Sequence, residues 1–321
     1  MMDLKNIKPL GRYYLNNHYY FYNGGSGFSF KVKGNSFIVN LKSKPIEGYF
    51  YIILDHNYFN KVKVITSDSP YRCSLKDDCE HYIDIIKANE ANDNTFELVD
   101  LSVDGEILPF DYQYDKKVKV YGDSTIAGFG ILSHEGDASI HTSDSVKDFC
   151  FKALYELNME MEIVSASGYG LVFSAYTCPK NIGVIDYINN IAVSTRTPWN
   201  NNKPCDLLII SLGCNDNSYI QENINLKEEL VKKFISKYQQ LIDEEARLNK
   251  DLKILMVYGT LKEETAYYLY EKAYEYLKPI YKNLYIHKFD GDNTAISNHA
   301  YVTAHETMSE ELKNVIKTIL Q

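Results

Sequence analysis

The rhythm of apolar residues changes once along this chain, and that change limits the folds open to it more than any other feature. Between about residues 11 and 108 the chain runs in short stretches rich in Val, Ile, Phe and Tyr, broken by Gly, Asn, Asp, Ser and Pro, without a sustained 3.6-residue period. Seven strands are expected there, at 13–22, 27–32, 36–41, 49–54, 61–65, 81–88 and 95–103. Turn signals join them, among them Asn23-Gly24-Gly25, Lys33-Gly34-Asn35 and Asp104-Gly105. Many short strands in so few residues predict a β-sandwich of the jelly-roll kind.

After a linker at 109–116 the rhythm alternates strand with helix, as it must around a parallel sheet. Strands are expected at 117–121, 206–211, 252–258 and 283–289; the second of these is apolar through its middle, as a strand covered on both faces must be. A helix at 145–157 would set Val146, Phe149, Cys150, Ala153, Leu154 and Leu157 on one stripe, with Ser143 and Asp144 as caps. Further helices are expected at 226–248 and 263–277, and a last one from the Thr303–Glu306 capping box to about 319. The 321 residues thus divide into a β-sandwich domain, 1–112, and an α/β domain, 113–321.

Composition narrows the partners. With 34 Lys+Arg against 43 Asp+Glu the formal charge is −9, and no basic run is present that could track a row of phosphates, so nucleic acid is not expected. No stretch of about 18 apolar residues and no secretory-type start is found, which predicts no membrane partner and a cytoplasmic protein. Cys73, Cys79, Cys150, Cys178, Cys205 and Cys214 lack metal-ligand or disulfide-framework spacing; reduced thiols, no metal and no cofactor are expected. Tyrosine is abundant, 28 residues, but scattered through both halves; it suits β-sheet surfaces as well as stacking on sugars.

Chemistry concentrates at four places. Gly122-Asp123-Ser124 follows the first α/β strand, at the edge where open parallel sheets hold their sites. Ser167-Gly168-Tyr169-Gly170 comes next, then Gly213-Cys214-Asn215-Asp216 directly after an apolar strand, then Ser297-Asn298-His299 ahead of the last helix. A serine hydroxyl needs a neutral imidazole to take its proton during attack, and the oxyanion that follows needs fixed donors. Ser124 and His299 can supply the first pair; the amides of Ser124 and Gly168 and the side chain of Asn215 can supply the donors. Asp123 is expected to bond nearby turn amides, and Phe129 and Tyr169 to line an acyl pocket. His305 reads as a surface or packing residue, Trp199 as packing between a loop and the sheet, and Cys214 as a small buried residue.

The four blocks, in this order, resemble those of the SGNH (GDSL-like) hydrolases. That resemblance implies a flavodoxin-like α/β/α domain with Ser124 as nucleophile, Gly168 and Asn215 in the oxyanion hole and His299 as base. Members commonly carry an acid two or three residues before the His, where this chain has Ile296 and Ser297; the nearest acid upstream is Asp292. Either a remote carboxylate folds back, or a backbone carbonyl or Ser297 holds the imidazole in a Ser–His dyad, or the site is degenerate. A sandwich followed by an SGNH domain is similar to carbohydrate esterase family 2, as are Gly11-Arg12-Tyr13 and the run from His81 to Glu90. The likeness implies removal of O-acetyl groups from xylo-, manno- or gluco-oligosaccharides or another small acetyl ester. The alternatives are a carbohydrate O-transacetylase and a non-catalytic carbohydrate-binding protein.

Overall fold

The computed structural model describes residues 5–321 apart from 176, 177, 180 and 194. The first hundred residues form β1 (Lys8–Leu10), β2 (Tyr13–Asn16), β3 (His18–Phe21), β4 (Gly27–Pro45), β5 (Tyr49–Leu54), β6 (Lys61–Ile65), β7 (Tyr71–Ser74), β8 (Glu80–Lys87) and β9 (Asn94–Leu108). All belong to one antiparallel sheet, ordered β2-β3-β9-β4-β8-β5-β6, with β1 and β7 also paired to β4. The expected strand at 13–22 is a tight hairpin instead: Asn17 takes a positive φ of 60° and reverses the chain between β2 and β3.

Two glycines govern the centre of this sheet. The segments Lys33-Gly34-Asn35 and Asp104-Gly105, expected as turns, are where β4 and β9 cross, with Gly34 opposite Gly105. A Cβ on either would overlap the other strand's backbone. The register slips between Gly34 and Ser36, and that extra residue changes the parity of β4. Phe28, Phe30 and Val32 before the slip, and Phe37, Val39 and Leu41 after it, therefore all enter one core with Ile83, Ile85, Phe96 and Leu98.

The second half is built on β10 (Lys116–Gly122), β11 (Met159–Ser165), β12 (Leu207–Ser211), β13 (Lys253–Tyr258) and β14 (Leu284–Lys288), all parallel, in the order β11-β10-β12-β13-β14. Strand β11 was not expected, because alternating Glu160 and Glu162 dilute its apolar run. Helices α1 (Phe149–Glu156) and α5 (Val302–Leu320) cover the face presenting Val118, Val120, Ile209 and Leu255. Helices α2 (Cys214–Glu222), α3 (Lys227–Ala246) and α4 (Glu264–Leu277) cover the face presenting Tyr121, Val164, Ile210 and Met256. This is an antiparallel β unit followed by a three-layer α/β unit, the two-part fold class the rhythm predicts. Among the described residues no helix is long and apolar enough to cross a membrane.

Two local expectations are corrected. Helix α1 starts at Phe149 and not at 145, because Asp148 is the cap: its carboxylate accepts the amide of Cys150 at 2.7 Å. Helix α5 starts at Val302 behind Tyr301, so the Thr303–Glu306 capping box does not form; Thr303 lies inside the first turn.

The two units share buried material. Tyr51, Ile53, Ile86 and Ala88 of the antiparallel sheet sit in one cluster with Phe149, Phe151 and Ile163. Arg12, fully buried, donates Nε to Glu162 at 3.0 Å, Nη2 to the Tyr121 hydroxyl at 2.8 Å and Nη1 to the carbonyls of Ile188 and Asn190. Tyr121 passes the chain on to Glu245 at 2.7 Å, which also takes Lys119 at 2.6 Å. Removing one partner of a buried network strands the others' charge. Arg12→Ala should therefore lower stability by about 3–5 kcal/mol in urea unfolding; a change of less than about 1 kcal/mol would place the interface energy elsewhere.

Candidate active site

Strand β10 lies between β11 and β12, so the chain leaves it in one direction and returns in the other, and the crevice at its carboxyl end is the switch point where such sheets bind ligands. Ser124 stands two residues past β10, in a turn closed by Phe129 N–H donating to the Ser124 carbonyl at 3.0 Å. Asp123 accepts the amide and hydroxyl of Thr125 at 3.1 and 2.8 Å, the turn role expected of it. Burial pushes its carboxyl up to about 6.

Gly168 follows β11 with φ +81°, a conformation closed to most side chains, and an added Cβ would stand 2.7 Å from the Cys178 sulfur. Its neighbour Ser167 is held from the other unit: Glu90 Oε2 accepts the Ser167 amide at 2.8 Å, and Asn92 Nδ2 donates to the Ser167 carbonyl at 3.3 Å. Asn215 sits in the first turn of α2, its Nδ2 donating to the Tyr169 carbonyl at 3.1 Å. Asp216 beside it is buried and accepts three main-chain amides, of Leu171 at 2.6 Å, Val172 at 2.8 Å and Phe173 at 2.9 Å. Burial pushes its carboxyl up to about 6 against the pull of those amides. Sequence reasoning assigned no role to Asp216, Asn92 or Glu90 and read Cys178 only as a reduced thiol; Asp216 alone stands inside one of the four blocks, and the other three carry no local signal.

His299 completes the set. Its Nε2 lies 2.7 Å from Ser124 Oγ, and its Nδ1 lies 3.1 Å from the Ser297 carbonyl oxygen. A carbonyl can only accept, so Nδ1 carries the proton and the Nε2 lone pair faces the hydroxyl. Burial lowers the pKa of His299 below the usual histidine value, although the carbonyls of Ser297 and Ile296 pull the other way. Ser297 and Asn298 both take left-handed conformations, φ 55° and 59°, and thereby turn that carbonyl toward the ring. Asp292, the nearest acid upstream, accepts the Tyr301 amide at 2.9 Å and the Thr294 hydroxyl at 3.0 Å, so it organises the loop and the start of α5.

Ser124, Gly168, Asn215 and His299 all line one cavity of about 680 Å³. Phe129 lines it too, its ring centroid 4.9 Å from that of His299, but Tyr169 does not: its ring packs against Tyr187, and only its carbonyl serves the site. Trp199 lies elsewhere, edge-on to Tyr13. Cys214 is a half-buried wall of the cavity, and His305 is a packing residue whose Nδ1 accepts the Phe149 amide at 3.1 Å. All six cysteines are free thiols, and among the described residues no group of three or more His, Cys, Asp or Glu is arranged to hold a metal.

A serine with an imidazole on its hydroxyl, in a cavity that a positive-φ glycine and an asparagine also line, is an arrangement able to carry out acyl transfer. Residues 10–110 match the family model Carbohydrate esterase 2 N-terminal. No curated protein sequence matches. Among solved structures, a family two carbohydrate esterase from Clostridium thermocellum in complex with cellohexaose is 19% identical, covering 98% of this chain and 99% of its own, with a TM-score of 0.82. An acetyl xylan esterase from the rumen bacterium Butyrivibrio proteoclasticus is 15% identical over 99% and 97%, TM-score 0.81. A family two carbohydrate esterase from Cellvibrio japonicus is 18% identical over 98% and 96%, TM-score 0.79. The chain is thus most like the family 2 carbohydrate esterases, which are carboxylic-ester hydrolases, in its first sequence unit and in fold throughout.

The lowered pKa of His299 has a direct readout. Its ring should titrate below 6.5, the ordinary histidine value, in an NMR pH series, so that it is neutral at pH 7. A midpoint above that value would contradict burial as the dominant influence on the ring.

Proposed function

We propose that this chain is a carbohydrate O-acetyl esterase working through a Ser–His dyad. The observation that carries the reading is the 2.7 Å approach of His299 Nε2 to Ser124 Oγ inside the cavity that Gly168 and Asn215 also line. Ser124 attacks the acetyl carbonyl while His299 Nε2 takes the hydroxyl proton; the imidazolium then gives that proton to the departing sugar oxygen. The negative charge of the tetrahedral intermediate rests on the amides of Ser124 and Gly168 and on the free Nδ2 hydrogen of Asn215. Water, deprotonated by the same imidazole, releases acetate from the acetyl-enzyme.

The Ser297 carbonyl does in this scheme what a triad carboxylate does elsewhere: it fixes the tautomer and accepts from the imidazolium, without a formal charge. The glycan part of the substrate rests on likeness. The cellohexaose complex of the Clostridium thermocellum relative supports a sugar chain as occupant, and the acetyl xylan esterase supports an acetyl ester on it. Acetylated xylo-, manno- or gluco-oligosaccharides are accordingly the substrates proposed, bound at the cavity that Ser124 and His299 line. Acetyl transfer to an added acceptor sugar is the second outcome to follow in the same assay.

The test is hydrolysis of p-nitrophenyl acetate and release of acetate from acetylated xylo-oligosaccharide by the wild type, Ser124→Ala and Asp292→Asn. Ser124→Ala should lose activity by at least about 10³-fold. Asp292→Asn should lose no more than about tenfold, where removal of a triad acid costs about 10⁴-fold. The rate should fall toward acid pH as His299 takes up its proton, with a midpoint below the ordinary histidine value. Full activity in Ser124→Ala would end the esterase reading, and a loss near 10⁴-fold in Asp292→Asn would end the dyad.

A further inference from the structure

We infer that Glu90 and Asn92, carried by the antiparallel unit, are positioning residues for the oxyanion donor of Gly168, so that this unit forms part of the catalytic site. The inference deepens the esterase reading and rests on it for the meaning of the oxyanion.

The geometry is that of a clamp on one residue. Glu90 Oε2 accepts the Ser167 amide at 2.8 Å, and Asn92 Nδ2 donates both to the Ser167 carbonyl at 3.3 Å and to Glu90 Oε2 at 3.3 Å. The Ser167 carbonyl and the Gly168 N–H belong to one planar trans peptide, in which the two bonds point in opposite directions. Holding the carbonyl from outside the cavity therefore aims the N–H toward the opposite side. Gly168 needs such a guide, since a glycine at φ +81° has no side chain of its own to restrict it.

Glu90 is itself fixed. It is 4% exposed, and Lys87 Nζ, also buried, donates to the Glu90 carbonyl at 2.9 Å and to that of Asn89. The ionisable groups facing its carboxylate are Lys87 from β8, Asp93 from the turn before β9 and Cys178 from the loop beyond Gly168. Burial first, then Asp93, pushes the Glu90 carboxyl up to about 7, while the Ser167 amide and Lys87 pull it down. The ionised carboxylate is the stronger acceptor for the amide, so the clamp tightens as pH rises through that value.

The experiment measures kcat and KM for p-nitrophenyl acetate across pH in the wild type, Glu90→Ala, Glu90→Gln, Asn92→Ala and Ser124→Ala, with exchange of the Ser167 amide, the one Glu90 holds, followed by NMR. Glu90→Ala should lose about 10–100-fold in kcat with KM within about twofold, the signature of a displaced donor. Glu90→Gln keeps an acceptor oxygen and should stay within about threefold at neutral pH. Asn92 is exposed, so Asn92→Ala tests the clamp even if Glu90→Ala fails to fold; it should lose about threefold in kcat and speed exchange at Ser167. Wild-type kcat in folded Glu90→Ala, or unchanged Ser167 exchange in both alanine variants, would overturn the inference. An inactive wild type would sink the esterase reading alone, since the exchange measurement still decides whether the clamp holds the Ser167–Gly168 peptide.

Discussion

A buried main-chain amide has to be hydrogen-bonded, and around this site carboxylates meet that need. Loops at the carboxyl ends of parallel strands leave the sheet ladder and lose its partners, so each must find an acceptor of its own. Asp123 takes the amide of Thr125, Glu90 that of Ser167, Asp216 those of Leu171 to Phe173, and Asp292 that of Tyr301. Each of those amides lies within a few residues of a group that lines the cavity. The site is therefore held by side chains gripping backbone, a stiffer arrangement than side chains gripping one another, because a main-chain group has no rotamer freedom to lose.

The same arrangement accounts for the way His299 is held. With Asp292 engaged by the Tyr301 amide and the Thr294 hydroxyl, the imidazole takes its partner from the backbone two residues away. Two successive non-glycine residues in the left-handed region cost of order 1–3 kcal/mol each, and such strain persists only where surrounding contacts fix it. Here the contacts are the Ile296 amide on the Ser133 carbonyl, the Ala295 amide on the His299 carbonyl and the Asp292 bond to Tyr301. A neutral acceptor also suits a buried imidazole. It selects the tautomer without the pKa rise that an adjacent carboxylate would bring, and the ring stays neutral and able to accept a proton.

Much of this was legible in the sequence, and the parts that were not share a physical origin. The change of rhythm foretold an antiparallel unit and a parallel one, and a strand such as 206–211 was found by its unbroken apolar run. Strand β11 was missed because Glu160 and Glu162 interrupt it, and their partners, Lys8 and Arg12, lie about 150 positions earlier in the chain. The pairing of Gly34 with Gly105 reads as two turns because both glycines take a positive φ, 156° and 139°, and approach each other closely inside strands, with the same local signature as turn glycines. In the site, the serine, glycine and asparagine blocks were visible because each is a short motif at a strand end, and the histidine block because it stands just ahead of the last helix. Glu90 and Asp216 were not assigned, because a carboxylate that binds backbone amides leaves no spacing pattern: its partners can carry any side chain.

The buried surfaces make the antiparallel unit an integral part of the molecule. A detachable module presents a polar face to its neighbour, whereas Tyr51, Ile53 and Ile86 here share a cluster with Phe149, Phe151 and Ile163 and would be exposed on separation. Removing Arg12 would leave the buried Glu162 without its ion partner and Tyr121 with Glu245 alone, a loss that solvent could make up only by flooding the sheet beside β10. Both contacts converge on β10 and β11, the strands that lead to Ser124 and Ser167, so the force that joins the units is applied beneath the site. Glu90 and Asn92 of the antiparallel unit bond Ser167 on the cavity wall, so the cavity keeps its shape only if the two units cannot slide, and the shared core provides that restraint.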